Sequence, residues 1–323
     1  MAVLQLRIST PERLTPRIIN LLAGDPATST LSIFEGASVL PEGDLIIAEV
    51  ARVGADELVH ELIELGVHRD GSIMLQPMQA WVSRRGFEAE RARSGAGSDA
   101  IVWLDVTQRA YDDSELNWVF LSFMTMATLI AGIGMILDSQ ILTVGAMVLG
   151  PEFGCIAALG VALLQRRWRL FGYAARSLVV GFVVAMVITT LVTLAGRALG
   201  WVTLEEAVTK RTATAFIYKP DHWSVVVALI AAAAGVLSLT SAKTGGLSGV
   251  FISVTTIPAA ANVAVGLAFG AWGEVWGSAA QLGINLSAMA VGGALTLAGQ
   301  RWLWGRFVLR SWREKRGRSI SSQ

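Results

Sequence analysis

The chain has 323 residues, of which 53% are hydrophobic and only 16% are charged, and its mean hydropathy is +0.55. Soluble domains carry about 25% charged residues, so this composition excludes a disordered chain and argues against an ordinary soluble enzyme. The single cysteine excludes a disulfide framework and a cysteine-based zinc cluster. The net charge of +1 averages two unlike parts, because residues 1–117 carry a net charge of −8 and residues 118–323 one of +9.

Residues 1–82 predict a small α+β domain. Alternating and β-branched stretches are typical of strands, and apolar residues three and four apart are typical of helices. The predicted strands are 3–8, 30–34, 44–53 and 72–77, and the predicted helices follow Pro11 and cover 55–65. The order βαββαβ predicts a ferredoxin-like fold. Because no continuous apolar segment precedes residue 118, we expect this domain to be cytosolic.

Residues 83–117 connect this domain to the apolar part of the chain. Residues 83–98 are charged and rich in Gly and Ser, which predicts a linker, and residues 99–115 predict an amphipathic helix before the membrane. This helix either couples the cytosolic domain to the membrane or merely connects them, and the sequence leaves both interpretations open.

Residues 118–300 predict a six-helix transmembrane domain, since a membrane-spanning helix needs about 20 predominantly apolar residues. The predicted spans are 118–137, 141–164, 174–196, 223–242, 248–269 and 276–299. Twelve basic residues fall in the loops on one side and in the tail at 301–323, against four on the other side. Positively charged loops stay in the cytoplasm, so we expect a multi-pass protein of a bacterial inner (plasma) membrane with both termini cytoplasmic.

The two halves of the predicted membrane domain resemble each other weakly. An offset of 107 residues aligns Gly145–Pro151 with Ile252–Pro258 and pairs the first three spans with the last three. Because each half has three spans, the halves would insert with opposite orientations. A 3+3 inverted repeat with interrupted helices at matching positions is typical of transporters.

The candidate site lies at the interruptions of the second and fifth spans. Proline removes a backbone hydrogen-bond donor, and a carboxylate inside a membrane is costly and usually functional. The candidate transport or ion-site residues are Gly150, Pro151, Glu152, Gly154, Thr256, Pro258, Asn262 and Asn285. They predict a cation or proton site, or a gate. The alternative is a neutral glutamate bonded to freed backbone, with amides that only hold the helices together.

Other kinds of site find no support in the sequence. It contains no P-loop, no metal-ligand grouping around His60, His68 or His222, and no Ser/His/Asp or HExxH pattern. We therefore expect no enzyme, no metal and no cofactor.

Two stretches in the first half, residues 127–139 and 144–154, carry a resemblance. Together with residues 249–258 and Asn285 they resemble a bacterial family of uncharacterised hydrophobic membrane proteins, over about residues 100–323. Many relatives have two adjacent prolines where this chain has Ile257-Pro258. The resemblance implies a membrane fold, and the family has no established activity.

Two hypotheses for the function follow. The first is a secondary transporter or ion pathway with a polar site at the bilayer midplane, formed where helices are broken. The alternative is a membrane-anchored sensor of a small ligand, or a scaffold, whose helical bundle only anchors and oligomerises. The expected partners are the lipid bilayer, further copies of the chain and an unknown small solute or ion, but not nucleic acid.

Overall fold

The computed structural model describes residues 3–78, 83–92, 102–203, 222–240 and 255–320, and the side chains of most of them. Two compact units are distinguished. One contains residues 3–106, and the other contains most of residues 107–300.

The first unit is built on a four-stranded antiparallel sheet in the order β2-β3-β1-β4. Its elements are β1 (Val3–Thr10), α1 (Thr15–Gly24), β2 (Thr28–Val39), β3 (Glu42–Ala51), α2 (Arg52–Glu64), α3 (Val67–Asp70) and β4 (Ser72–Pro77). The central strand β1 pairs Leu6 with Ala48 of β3 and with Leu75 of β4. The predicted β-α-β-β-α-β order is therefore present, with two extra helical turns, a 3-10 turn at Glu12–Leu14 and α3.

The core of this unit follows from the alternation along β1. Leu4, Leu6 and Ile8 are buried, whereas Arg7 between them is exposed. Side chains alternate between the two faces of a strand, so this pattern directs one face of the sheet against the helices. Ile18 of α1 and Leu62 of α2 complete the cluster.

Residues after β4 extend the first unit further than the sequence predicts. The predicted linker contains a helix, α4 (Arg84–Ala92), and Ala89 and Val102 lie in the same hydrophobic core as the strands. Helix α5 (Trp103–Asp113) lies within the predicted amphipathic helix, and the backbone N–H of Trp103 donates to Asp56 Oδ1 at 2.9 Å. Burial raises the pKa of Asp56. The segment is therefore packed over part of its length because it carries buried apolar side chains among its charges.

The second unit is helical. Its elements are α6 (Trp118–Ile136), α7 (Gln140–Leu149), α8 (Glu152–Gln165), α9 (Trp168–Ala198), α10 (His222–Thr240), α11 (Thr256–Phe269) and the part of α12 (Trp272–Ile320) up to residue 300. Helix α12 continues through most of the segment predicted to be a basic tail at 301–323.

Within the described residues, three or four of the six predicted membrane spans are long and apolar enough to cross a membrane. Helices α6, α9 and α12 are long and apolar enough to cross a membrane, and α7 with α8 makes a fourth span if the pair, bent by 55°, is counted as one. Helix α11 has 14 residues, or about 21 Å at 1.5 Å per residue, which is shorter than the ~30 Å hydrocarbon core. The start of the predicted fifth span, 248–254, lies outside the described residues. Apolar helices of this kind indicate a membrane location.

Helices α8 and α11 differ from the spans around them in being buried on nearly all sides. Ten of the 14 residues of α8 and 12 of the 14 residues of α11 are buried. By contrast, large apolar side chains of α7 and α9 are exposed, as with Ile141 at 86% and Val179 at 62%. A helix that is apolar all round is typical of a buried position, so these two short helices form the interior of the unit.

The helices of the second unit repeat at an offset of 104 residues. Helices α6, α8 and α9 begin at residues 118, 152 and 168, and α10, α11 and α12 begin at 222, 256 and 272. Helices α8 and α11 both end at a residue in the left-handed conformation, Arg166 (φ 54°) and Gly270 (φ 70°). The counterpart of α7 lies outside the described residues. The predicted offset of 107 is thus wrong by three residues, because Pro151 lies just before α8 whereas Pro258 lies inside the first turn of α11.

Contacts between the helices repeat with the same offset. A Cβ added to Gly160 would lie 3.2 Å from the backbone nitrogen of Ala294, and the Thr190 hydroxyl donates to the Ala264 carbonyl at 3.2 Å. Residues 160 and 264 are equivalent at an offset of 104, and so are 190 and 294. Each half therefore contacts the other through equivalent positions, as an approximate two-fold relation requires.

Candidate functional site: a polar junction of three helices

The junction begins at the break between α7 and α8. Gly150 and Pro151 separate the two helices, and Glu152 is the first residue of α8. A Cβ added to Gly150 would collide with Oε2 of Glu152 and would lie 2.8 Å from Cγ1 of Ile257. A side chain at position 150 would therefore have to displace the carboxylate of Glu152 and the side chain of Ile257, which occupy the space beside its backbone.

Glu152 joins the two short helices. The hydroxyl of Thr256, the first residue of α11, donates to Oε1 of Glu152 at 2.7 Å. Glu152 is 7% exposed and Thr256 is 2% exposed. Oε2 of Glu152 has no hydrogen-bond partner among the described residues. A buried carboxylate that accepts a single hydrogen bond from another residue is an expensive arrangement, and the fold maintains it where equivalent positions of the two halves meet.

Helix α12 extends the polar contacts from the neighbouring threonine. The amide nitrogen of Asn285 donates to the hydroxyl of Thr255 at 3.1 Å, and the amide of Gln281 lies 3.4 Å from Oδ1 of Asn285 and 3.5 Å from Thr255. Asn285 and Gln281 are 2% and 1% exposed. A chain of polar side chains thus connects Glu152 to α12 through two adjacent threonines.

A second polar contact lies further along the same helices. The amide nitrogen of Asn262 donates to Ser278 Oγ at 2.8 Å and to Glu274 Oε2 at 3.2 Å. Asn262 is six residues beyond Thr256, or about 9 Å along a helix. These two acceptors lie on α12, so this contact is separate from the one between Glu152 and Thr256.

The structure brings some of the predicted site residues together and separates others. Gly150, Pro151, Glu152 and Thr256 meet at the junction, and Asn285 reaches it through Thr255. Gly154 instead packs against the end of α5, where a Cβ would lie 2.8 Å from Cβ of Asp113. Pro258 and Asn262 lie on α11 beyond the contact with Glu152.

Sequence reasoning missed three residues of α12 that complete these contacts: Glu274, Ser278 and Gln281. Together with Asn285 they are spaced by four, three and four residues. This spacing keeps all of them on one face of a helix, so the polar face of an otherwise apolar segment was the signal that could have found them.

A pocket of about 350 Å³ lies beside the break, at the end of α5. Pro151 and Gly154 line it together with three acids, Asp112, Asp113 and Glu115, and its lining does not include Glu152. Burial raises the pKa of Asp113, and the neighbouring carboxylate of Asp112 raises it further. The pocket is therefore acidic and includes a carboxyl group that holds its proton more strongly than an exposed aspartate does.

Within the described ranges no group of three His, Cys, Asp or Glu side chains is arranged to hold a metal ion. Cys155, the only cysteine of the chain, is buried and points its sulfur at the carbonyl of Asp113 at 3.8 Å. The junction is thus an assembly of hydroxyls, amides and one carboxylate.

Comparisons with known proteins bear on residues 147–291. No curated protein and no solved structure matched the chain. Residues 147–291, which run from the end of α7 into α12, match the family model described as Domain of unknown function (DUF389). The expected relation to an uncharacterised family is therefore confirmed for the part of the chain that contains the junction.

Proposed function

We propose that the helical unit is a secondary transporter or ion pathway, and that the ion or solute passes the junction of α8, α11 and α12. The observation that carries the proposal is the buried hydrogen bond between Glu152 and Thr256. It joins the starts of two short helices, 104 residues apart, that are buried inside the unit.

Membrane energetics support a functional role for this contact. Polar groups at membrane depth are tolerated where protein or a water-filled cavity satisfies them, and an intramembrane carboxylate costs about 2.5–3.5 kcal/mol at the centre of a span. Two buried half-length helices at equivalent positions of a repeat are typical of transporters, whose sites lie where the repeats meet. The repeat of helix starts and contacts supports this interpretation.

The rest of the proposal concerns how the protein is arranged. We propose the inner membrane of a bacterium, inverted halves and cytoplasmic termini, supported by the distribution of basic residues. We propose a ferredoxin-like fold for residues 3–77, supported by the strand order β2-β3-β1-β4. Homo-oligomers, a non-enzymatic role and the absence of a cofactor are also part of the proposal.

Transport measurements in proteoliposomes test the proposal. We expect vesicles with the parent protein to show pH-dependent ion flux and vesicles with Glu152→Gln to lose it, because the amide keeps the shape of the side chain but cannot carry a proton or a charge. Asp138→Asn is the matched control, since it changes a carboxylate to an amide at the end of α6. Unaltered flux in Glu152→Gln would contradict the role of Glu152.

A parent protein that gives no flux under any ion gradient would contradict transport itself. The alternative of a membrane-anchored sensor or scaffold would then replace it. Binding of small metabolites to the full chain, compared with a chain that lacks residues 1–98, would test that alternative.

A further inference from the structure

The starts of two buried helices converge on one carboxylate. Glu152 is the first residue of α8 and Thr256 is the first residue of α11, and their side chains are 2.7 Å apart. At neither start does the side chain of the N-cap residue form a capping hydrogen bond. The N–H groups of a first helical turn favour anions, so the side chain of Glu152 is an anionic group in a place that favours anions.

The balance of charge at the junction indicates the class of ligand. Each helix start acts as about +0.5 of an elementary charge, so the two starts together offset one ionised Glu152. Adding a cation would leave the junction with excess positive charge. A proton on Glu152 would instead leave the two helix starts uncompensated, and one monovalent anion would restore the balance.

Among the described residues, Glu152 forms no hydrogen bond or ion pair with a basic side chain, and Arg176 of α9, the long helix packed against α8, is exposed. Helices α6, α7 and α11 contain no ionisable side chain. The nearest titratable groups are Cys155 on the same helix and Asp113 at the end of α5, and α12 contributes Glu274 through its contact with Asn262. All of these are acids. Among the described residues, the groups available to hold an anion here are therefore helix starts, hydroxyls and amides, which suit a single negative charge.

The carboxylate of Glu152 is also held loosely enough to be displaced. Thr256 is its one hydrogen-bond donor from another residue among the parts of the chain that the structure describes, and Oε2 has none although the side chain is 93% buried. The hydroxyl of Thr256 and the amides near Thr255 would stay in place to receive another acceptor of similar size.

We propose that the junction of α8 and α11 binds a small monovalent anion, of the size of chloride or a short carboxylate, that replaces the side chain of Glu152 when a proton neutralises it. This inference rests on the proposed function and names its substrate class, because a proton and an anion would cross together. The acidic pocket beside Pro151 suits the proton, since its carboxylates repel anions.

Thermal unfolding of the full chain in detergent tests the site without requiring transport. Chloride and formate are titrated at constant ionic strength against gluconate, which is too large to replace a carboxylate group, with sodium and choline as alternative cations. If the anion binds only the protonated form, the apparent Kd of the parent falls about tenfold for each pH unit lowered over the range in which Glu152 is mostly ionised, because the competent fraction rises tenfold there, and it levels off once Glu152 is protonated. In Glu152→Gln the Kd should not depend on pH, and Asp138→Asn should behave as the parent does. The ratio of the chloride and formate responses distinguishes a halide site from a carboxylate site.

Several outcomes would overturn the inference: stabilisation that follows sodium rather than the anion, stabilisation by gluconate equal to that by chloride, or a parent Kd that does not change with pH. If Glu152→Gln does not fold, the pH dependence of the apparent Kd of the parent protein alone tests the inference. Anion binding without flux in vesicles would refute transport but leave the site standing. Flux that is independent of the anion would refute the site but leave transport standing.

Discussion

Replacing Thr256 with valine should destabilise the helical unit through a single lost hydrogen bond. Valine has nearly the volume of threonine, so the change leaves no cavity, but it removes the hydroxyl that donates to Oε1 of Glu152 at 2.7 Å. Since Oε2 has no partner among the described residues, both carboxylate oxygens would then lack a donor from a neighbouring residue. Leaving a buried acceptor unpaired costs about 1–3 kcal/mol, and 2 kcal/mol changes the ratio of folded to unfolded protein by about 30-fold.

Reversible unfolding of the full chain in mixed micelles with increasing denaturing detergent, followed by circular dichroism, measures this free energy. Thr256→Ser is the matched control, because it keeps the hydroxyl and should lose less than about 1 kcal/mol. A double-mutant cycle with Glu152→Met, which keeps the length of the side chain but removes its acceptor oxygens, isolates the pairwise energy between the two side chains. Equal stabilities for the valine and serine variants, or no coupling in the cycle, would refute the interpretation that this hydrogen bond holds the helix starts together.

Three further predictions concern packing, backbone conformation and charge. Gly160→Leu should cost about 1–3 kcal/mol in the same assay, because the added side chain meets the backbone of α12, whereas Gly145→Ala meets nothing within 4 Å and should change little. Gly270→Ala should lower the free energy of unfolding by about 1 kcal/mol and Arg166→Gly should raise it by up to that amount, because both positions have a positive φ, which glycine adopts without strain. Stabilisation by Gly270→Ala or destabilisation by Arg166→Gly would contradict this prediction. Asp44 has a lowered pKa because a hydroxyl and a backbone N–H donate to it. Its contribution to stability is therefore present above pH ~4 and is lost as the pH falls through its folded-state pKa. Hydrogen exchange of the β3 amides in the full chain, measured against pH and compared with Asp44→Asn, would detect this loss of stability.

The sequence predicts the sheet more fully than it predicts the junction. The strand Ser72–Pro77 has its predicted bounds, because alternation and turn residues are local signals. The break at Pro151 is likewise visible in the sequence, since proline and glycine act on their own backbone. Both features depend on interactions between residues that are near in the chain.

The partners at the junction could not be predicted in the same way. That Glu152 is bonded to Thr256 rather than to Asn262 depends on how two distant helices pack, and an apolar segment carries little information about its register. Aligning proline with proline misplaced the repeat by three residues because proline is tolerated in the first turn of a helix as well as before it. The spacing of polar residues in the sequence predicts the polar face of α12, but it does not predict which helix that face packs against.

The repeat at an offset of 104 residues has a consequence for how such a junction can arise. Two identical half-length chains paired about a two-fold axis would have the same residue on both sides of the contact. Two carboxylates about 3 Å apart cannot both ionise, and two threonines would supply no charge. When both halves belong to one chain, residues at equivalent positions can differ, as Glu152 and Thr256 do. A single acid facing a single hydroxyl is therefore an arrangement that two identical half-length chains could not form.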